Sequence, residues 1–221
     1  LGHIQIFTAE HFDREETHVL DTGIDNWRQV AAAVKTGSHV RGVAPRIEFY
    51  GMLSNGVKSG VFMGSAIDPA AEKSLGFSPR LTAGHDLDNN TSGDPEALIG
   101  AGVARSMNVK PGDGLTLLAV TADGALNGID VQIVGIVNTG YKEVDDRYLR
   151  ITLPSAQRLL QSDRVTNLVV GLDKTENTDM VAATLGPRLR NLPQHLILKK
   201  WIDLAAYYKQ VRSLFSTIFV F

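Results

Sequence analysis

The strongest constraint on this chain of 221 residues is that its two outer thirds follow one plan, strand–helix–strand, around a turn-rich middle. Residues 3–7 are β-prone, with Ile4 and Phe7 flanking Gln5 and Ile6. Asp25 or Asn26 can cap a helix whose apolar face is Trp27, Val30, Ala31 and Val34, and Gly37 ends it. Residues 39–50 read as a long strand with Val40, Val43 and Ile47 apolar, and Pro45 inside it argues for an edge or a bulge. In the last third, residues 168–172 form the first strand. Asn177 caps a helix from Thr178 toward Leu189, with Met180, Val181, Leu185 and Leu189 inward, and Gly186-Pro187 should kink or split it. Residues 195–199 form the second strand. Each βαβ unit must bury its helix against a sheet, and two of them can share one split ferredoxin-like layer. The expected class is α+β: two βαβ units with an inserted β-rich subdomain.

The middle supplies the insertion. Ser54-Asn55-Gly56 is a hairpin signal leading to a strand over residues 57–66. Residues 69–75 make a short helix with Pro at its start, and 85–95 a polar loop. Residues 96–107 read as one helix buried through Leu98, Ile99, Val103 and Met107. Pro111 and Gly112 hold type II turn positions. Strands over 115–121 and 129–137 are joined by a tight connection containing Asp123-Gly124 and Asn127-Gly128. A charged loop at 141–147, a strand at 148–153 and a helix at 154–161 complete it.

Composition removes whole classes of chemistry. Lys plus Arg is 22 and Asp plus Glu is 24, a net charge of −2, so no basic excess exists for a phosphate backbone and nucleic acid is not an expected partner. With no cysteine there is no disulfide, iron–sulfur cluster or thiolate zinc site, and the redox compartment stays open. No stretch reaches the roughly 18 consecutive apolar residues of a membrane span. Yet residues 201–221 contain no Gly or Pro, place Trp201, Leu204, Tyr208, Val211 and Phe215 at helical spacing, and carry no charge after Arg212. Two readings stand: a C-terminal helix packed on the core, or an amphipathic helix entering a bilayer. Tyr207, Tyr208, Lys209 and Arg212 interleave rings and cations as an interfacial belt does. The chain also starts directly on a strand, with no initiator Met or signal peptide, and the two ends together suggest a domain lying between two membrane segments.

Candidate sites are few, and each has an ordinary reading. Gly100-Ala101-Gly102 opens a helix like a dinucleotide fingerprint, but Arg105 holds the third glycine position. A Pro-containing loop, rather than a strand, is expected before it, so close helix packing is the plainer explanation. No phosphate loop ending in Gly-Lys-Ser or Gly-Lys-Thr occurs, so the chain is not the ATP-hydrolysing engine of that class. Asp86, Asp88 and Asn90 match the first calcium-loop spacings, but Thr91 replaces the turn glycine and Ala97 the bidentate carboxylate. The six histidines, His3, His11, His18, His39, His85 and His195, include no helical metal pair, and the group His11, Asp13, Glu15, Glu16, His18 reads as solvated loop. No Gly-x-Ser-x-Gly elbow occurs. Tyr141, Lys142, Glu143, Asp145, Asp146 and Arg147 form a mixed-charge loop, either a solvated connection or a polar rim for a partner. No catalytic, cofactor-binding or metal-binding residue is expected.

Several segments, in order, resemble one family. They are His39-Val40-Arg41-Gly42-Val43-Ala44-Pro45-Arg46, Gly64-Ser65-Ala66-Ile67-Asp68-Pro69, Ala97-Leu98-Ile99-Gly100, Gly112-Asp113-Gly114-Leu115-Thr116-Leu117, Val131-Gln132-Ile133-Val134-Gly135-Ile136 and Leu153-Pro154-Ser155-Ala156-Gln157-Arg158-Leu159-Leu160. Their order and spacing resemble the extracytoplasmic core domain of MacB-like and FtsX-like permeases, across about residues 2–211. The resemblance implies a non-catalytic domain between the first and second spans of an ABC-transporter permease, on the periplasmic side of the bacterial inner membrane. It implies a porter-like part built from residues 1–55 and 164–205, an inserted part over 56–163, and the start of a membrane-bound helix at 206–221. The implied partners are an ABC ATPase subunit, a second permease copy or paralogue, the membrane through flanking spans, and an envelope substrate such as a lipoprotein, peptide or drug-like molecule. No cofactor is implied. One departure concerns the carrier-recruiting hook of one lipoprotein-releasing subunit: here the corresponding connection, residues 122–128, is a short turn. As a lever, a helix of 21 residues would be about 30 Å long. The rival readings are an independent soluble enzyme or ligand-binding protein, whose middle would suit a small β-barrel, and a scaffold regulating a cell-wall hydrolase.

Overall fold

The computed structural model describes residues 2–12, 19–88 and 94–204. Strand β1 (Ile4–Thr8) is buried along its whole length. Helix α1 (Trp27–Lys35) buries Val30 and Val34 against the sheet. Asn26 caps its start in a left-handed conformation, φ 47°, without a side-chain capping bond. Strand β2 (Val40–Ser54) turns back through Asn55, whose Oδ1 accepts the Val57 and Lys58 amides at 3.0 and 2.8 Å, into β3 (Ser59–Ile67). At α2 (Pro69–Ser74) the Asp68 carboxylate accepts the Ala70 and Ala71 amides, the capping geometry that Asp before Pro favours. There follow β4 (Leu81–Gly84), β5 (Glu96–Gly100), α3 (Ala101–Met107), β6 (Gly114–Val120), β7 (Leu126–Val137), α4 (Lys142–Asp145), β8 (Tyr148–Thr152) and α5 (Leu153–Leu160). The last elements are β9 (Asn167–Leu172), α6 (Thr178–Arg190) and β10 (Leu196–Lys200).

The mixed α/β architecture rests on one connected sheet. At one end the strands run β10–β1–β9–β2, every neighbour antiparallel, with β1 and β2 separated by β9. Strand β2 then continues into a second arrangement. Its pairings pass from β3 to β8, β5, β7 and β6 and back to β2, which closes a ring with β4 added outside β7. Closure gives every strand of the ring a partner on each side over at least part of its length. Residues 40–45 of β2 pair with β9 alone, and β3 begins only opposite Arg46. Pro45 thus sits where one side of β2 lacks a strand partner, which is where a residue without an N–H is tolerated.

The period-2 alternation of β2 decides which side is dry. Ile47, Phe49 and Leu53 point into the main core with Phe62, Ile99, Leu117, Ile133, Leu149 and Ile151. Phe49 and Phe62 meet edge to face at 5.5 Å, which adds about 1 kcal/mol beyond their burial. A small second cluster, Ile67, Leu87, Leu98, Val134 and Val137, lies apart from it. Arg46 grips Glu72 of α2 bidentately, Nε–Oε1 2.6 Å and Nη2–Oε2 2.9 Å, with the two side chains 15% and 3% exposed.

Four expectations need correction. Residues 96–107 are not one helix but β5 followed by α3. Ala97, Leu98 and Ile99 are fully buried between β7 and β8, and a short continuous apolar run carries no period by which to tell strand from helix. The loop at 141–147 contains the helical turn α4, with Asp145 buried because its Oδ1 accepts the Thr139 amide and hydroxyl. Helix α6 runs unbroken through Pro187, which stands in the last turn before the helix ends at Arg190, so the ladder bond it forgoes leaves the turns before it intact. Met180 faces out at 51% exposure, while Val181, Leu185 and Leu189 are buried as expected. Strand β4 went unread because only one of its residues, Leu81, is even half-buried.

Two outcomes follow from this packing. Glu72→Ala leaves the Arg46 guanidinium buried without its partner and should lower unfolding free energy by about 3 kcal/mol in urea titration, with much of it restored by Arg46→Met in the same chain. At the β9–α6 junction the Asp173 carboxyl is held at about 2, first by the His39 ring at 2.9 Å and next by the Asn177 amide at 2.8 Å. Its folded value lies below the ordinary 3.8, so the stabilisation is present above that value and lost as pH falls toward about 2. His39→Ala should return Asp173 toward the ordinary value, read by NMR titration of its carboxyl carbon.

Candidate functional site

Two regions stand out. The first is the edge where the described chain enters and leaves. Strands β1 and β10 run antiparallel with Ile4 opposite Lys200. The Trp201 amide donates to His3 O at 3.1 Å, so the first strand and the start of the last helical turn are stapled together. His3 Nδ1 accepts the Leu172 amide at 3.0 Å, and its Nε2 lies 3.1 Å from Thr175 Oγ1, tying the same corner to the end of β9. Residues 201–204 are helical, and Asp203 accepts the Lys200 amide at 3.3 Å as an N-terminal cap. Lys200 Nζ reaches Asp179 of α6 at 3.0 Å, and that carboxylate raises the Lys200 pKa. Trp201 and Ile202 remain exposed, at 39% and 54%, beside a groove of about 350 Å³ that includes Arg41 and Phe77.

The second region is the outer wall of the strand ring. Register places side chains of β2, β3 and β8 in rows on the face opposite the core. One row holds Glu48, Ser65 and Arg150; the next holds Tyr50, Met63 and Tyr148; beyond it stand Met52 and Val61. Beside these rows lies a cleft of about 860 Å³, rimmed by Glu143 and Arg147 from the α4 turn. Crowding by protein raises the Glu48 pKa although its side chain keeps access to water, against the opposing pull of Arg46 and Arg150. Burial likewise raises the Tyr148 phenol. Arg150 lies over the Tyr148 ring at 5.6 Å. Its Nε is shut off from solvent and meets no acceptor among the described residues.

The positions singled out in the sequence do not converge on either region. Among the described residues, no group of three or more His, Asp or Glu could hold a metal ion. His11 stacks on Phe7, His85 Nδ1 lies 2.9 Å from Asp86 O, and His195 Nδ1 lies 3.4 Å from Arg190 O, each in a different place. Residues 13–18, Asn90 and Thr91, and the interleaved Tyr207, Tyr208, Lys209 and Arg212 lie outside the described residues. Gly100-Ala101-Gly102 does follow a strand, contrary to the expected loop. What excludes a pyrophosphate is that a Cβ on Gly100 would collide with the Asp145 backbone, and one on Gly102 with Asp146. The glycines therefore serve close packing of α3 against α4. The rows on the ring were missed because alternation shows that Glu48, Tyr50 and Met52 share a face, but not which strands lie beside them.

The chain matches the family described as the MacB-like periplasmic core domain over residues 1–187. It is 23% identical over 208 residues to the lipoprotein-releasing system transmembrane protein LolE of Haemophilus influenzae, covering 89% of this chain and 48% of that protein. It is 24% identical over 179 residues to LolC of Neisseria meningitidis, covering 78% and 43%. It therefore spans about half the length of these curated relatives. Among solved structures, the periplasmic region of MacB from Actinobacillus actinomycetemcomitans superposes with a TM-score of 0.64 at 13% identity, covering 94% of this chain and 92% of that one. The extracellular domain of the ABC-type transporter YknZ from Gram-positive bacteria gives 0.63 at 10% identity, covering 89% and 99%. At such identities the likeness is one of fold. The family match reaches from the start of the chain into α6, through every described strand but β10, and the chain belongs to the MacB-like periplasmic core domain family, on the extracytoplasmic side of the membrane.

Proposed function

We propose that this domain is the non-catalytic outer part of an ABC-transporter permease and couples movement of membrane helices to export or release of an envelope substrate. The observation that carries the reading is the stapled corner: Trp201 N to His3 O at 3.1 Å, beside the Ile4–Lys200 register. Two tails leaving at one corner suit a domain seated on two neighbouring spans. ATP would be hydrolysed by a separate subunit or domain on the cytoplasmic side. A second copy or a paralogue would supply the facing domain, and the names of LolE and LolC favour a lipoprotein among the candidate substrates.

In this reading the strand order β10–β1–β9–β2, with α1 and α6 as its crossovers, is the porter-like split layer. It is made from residues 1–55 and 164–205, and residues 56–163 are the insertion. Residues 206–221, expected to begin a membrane-bound helix, lie outside the described residues. A shift of the spans would reach the corner as a push or a tilt and pass into the sheet as rigid-body motion.

A test separates lever from tether. Inserting six Gly-Ser residues between Lys200 and Trp201 of the full permease should leave ATP hydrolysis running but drop release of a reporter lipoprotein to background. Release at the normal rate with the flexible insert in place overturns the lever.

A further inference from the structure

We infer that the outer wall of the strand ring is a docking surface for an extended polypeptide carrying a carboxylate, with apolar side chains two and four residues further along. Three observations converge on it. The first is Arg150: its Nε is buried with no acceptor among the described residues, and no ion pair joins it to Glu48, which instead receives the Ser65 hydroxyl at 3.4 Å. The neighbouring Arg46 differs, being clamped bidentately by Glu72. With no carboxylate at ion-pair distance among the described residues, the Arg150 guanidinium keeps donors for an incoming anion, whereas Arg46 is held in place by Glu72.

The second is the apolar strip. Tyr50, Met52, Val61 and Met63 are 64%, 50%, 59% and 63% exposed, and they are not scattered. Tyr50 is the cross-strand partner of Met63, and Met52 that of Val61, so the four side chains form one contiguous block. Two of them are methionines, the side chain that best adapts to a partner's shape.

The third is spacing. The Arg150 row, the Tyr50–Met63 row and the Met52–Val61 row succeed one another at two-residue steps along the strands. That step is about 6.8 Å, the same as the side-chain repeat of any extended chain laid along them. A polypeptide in that pose sets its carboxylate over Arg150 and its apolar side chains over the strip. Arg147 and Glu143 on the cleft rim give the surface the mixed polar border of a protein-binding patch. A hydrocarbon chain would use the strip but leave Arg150 as it is, and so accounts for half of the surface.

The test uses the nitrogen-15-labelled 221-residue chain and two probes, acetyl-Glu-Ser-Leu-Ser-Leu-amide and its twin with Gln for Glu. The acidic probe should shift the Arg150 Nε–H resonance and the Tyr50 and Met63 amides saturably. The Gln twin, and Arg150→Gln against the acidic probe, should bind roughly tenfold more weakly or worse. Met63→Ser, a change at an exposed position, should weaken binding several-fold with the rest of the spectrum intact, so the result stands even where Arg150→Gln fails to fold. Equal binding of both probes, or no saturation by about 10 mM, overturns the inference. So do shifts at these residues that grow with protein concentration in the absence of probe, which would give the surface to a second copy of the chain.

Discussion

The structure depends on strand β2 being a single stiff object shared by two assemblies. Its first half pairs with β9, and its second half pairs with β3 and, near its end, with β6. The side chains respect the handover. Pro45 stands where one side is unpaired, and Arg46, the next residue, begins the β3 register while clamping Glu72 of α2. A hinge at this point would break ladder hydrogen bonds and pull a buried ion pair apart, and each of those costs more than thermal energy supplies.

That constraint bears on how movement crosses the molecule. The corner formed by His3 and Trp201 lies at the β1–β10 end of the sheet, and the ring lies at the other. Between them run strand ladders, through β9 to β2, backed by one shared hydrophobic core. In the proposed coupling role, a displacement applied at the corner would carry the ring with it rather than be absorbed along the way. The apolar strip of Tyr50, Met52, Val61 and Met63 sits on β2 and β3, on the part of the molecule that such a displacement moves.

The two outer βαβ units were legible because their signals are local. Residues 3–7, 168–172 and 195–199 are short apolar strands between clear breakers, and α1 shows its buried stripe through Val30 and Val34. The stretch 96–107 was misread because Ala97, Leu98 and Ile99 are buried on both faces, which erases the alternation that marks a strand. The glycines at 100 and 102 were read for a nucleotide or for close packing, and only the Asp145–Asp146 turn lying against them decides between the two. Pro187 illustrates the opposite error, since a local helix-breaking rule has little force in the last turn of a helix.

By itself, the sequence determined the plan of the two outer βαβ units and the order of motifs that marks the family, because each is written in neighbouring residues, and its lack of cysteine removed thiol chemistry. Tertiary structure alone decided that β2 closes a ring, that His3 meets Trp201, and that Arg150 lines up with Glu48 and Ser65. Those pairings join residues far apart in the chain. Their register is set by which side chains fill the core together, and no local pattern encodes it.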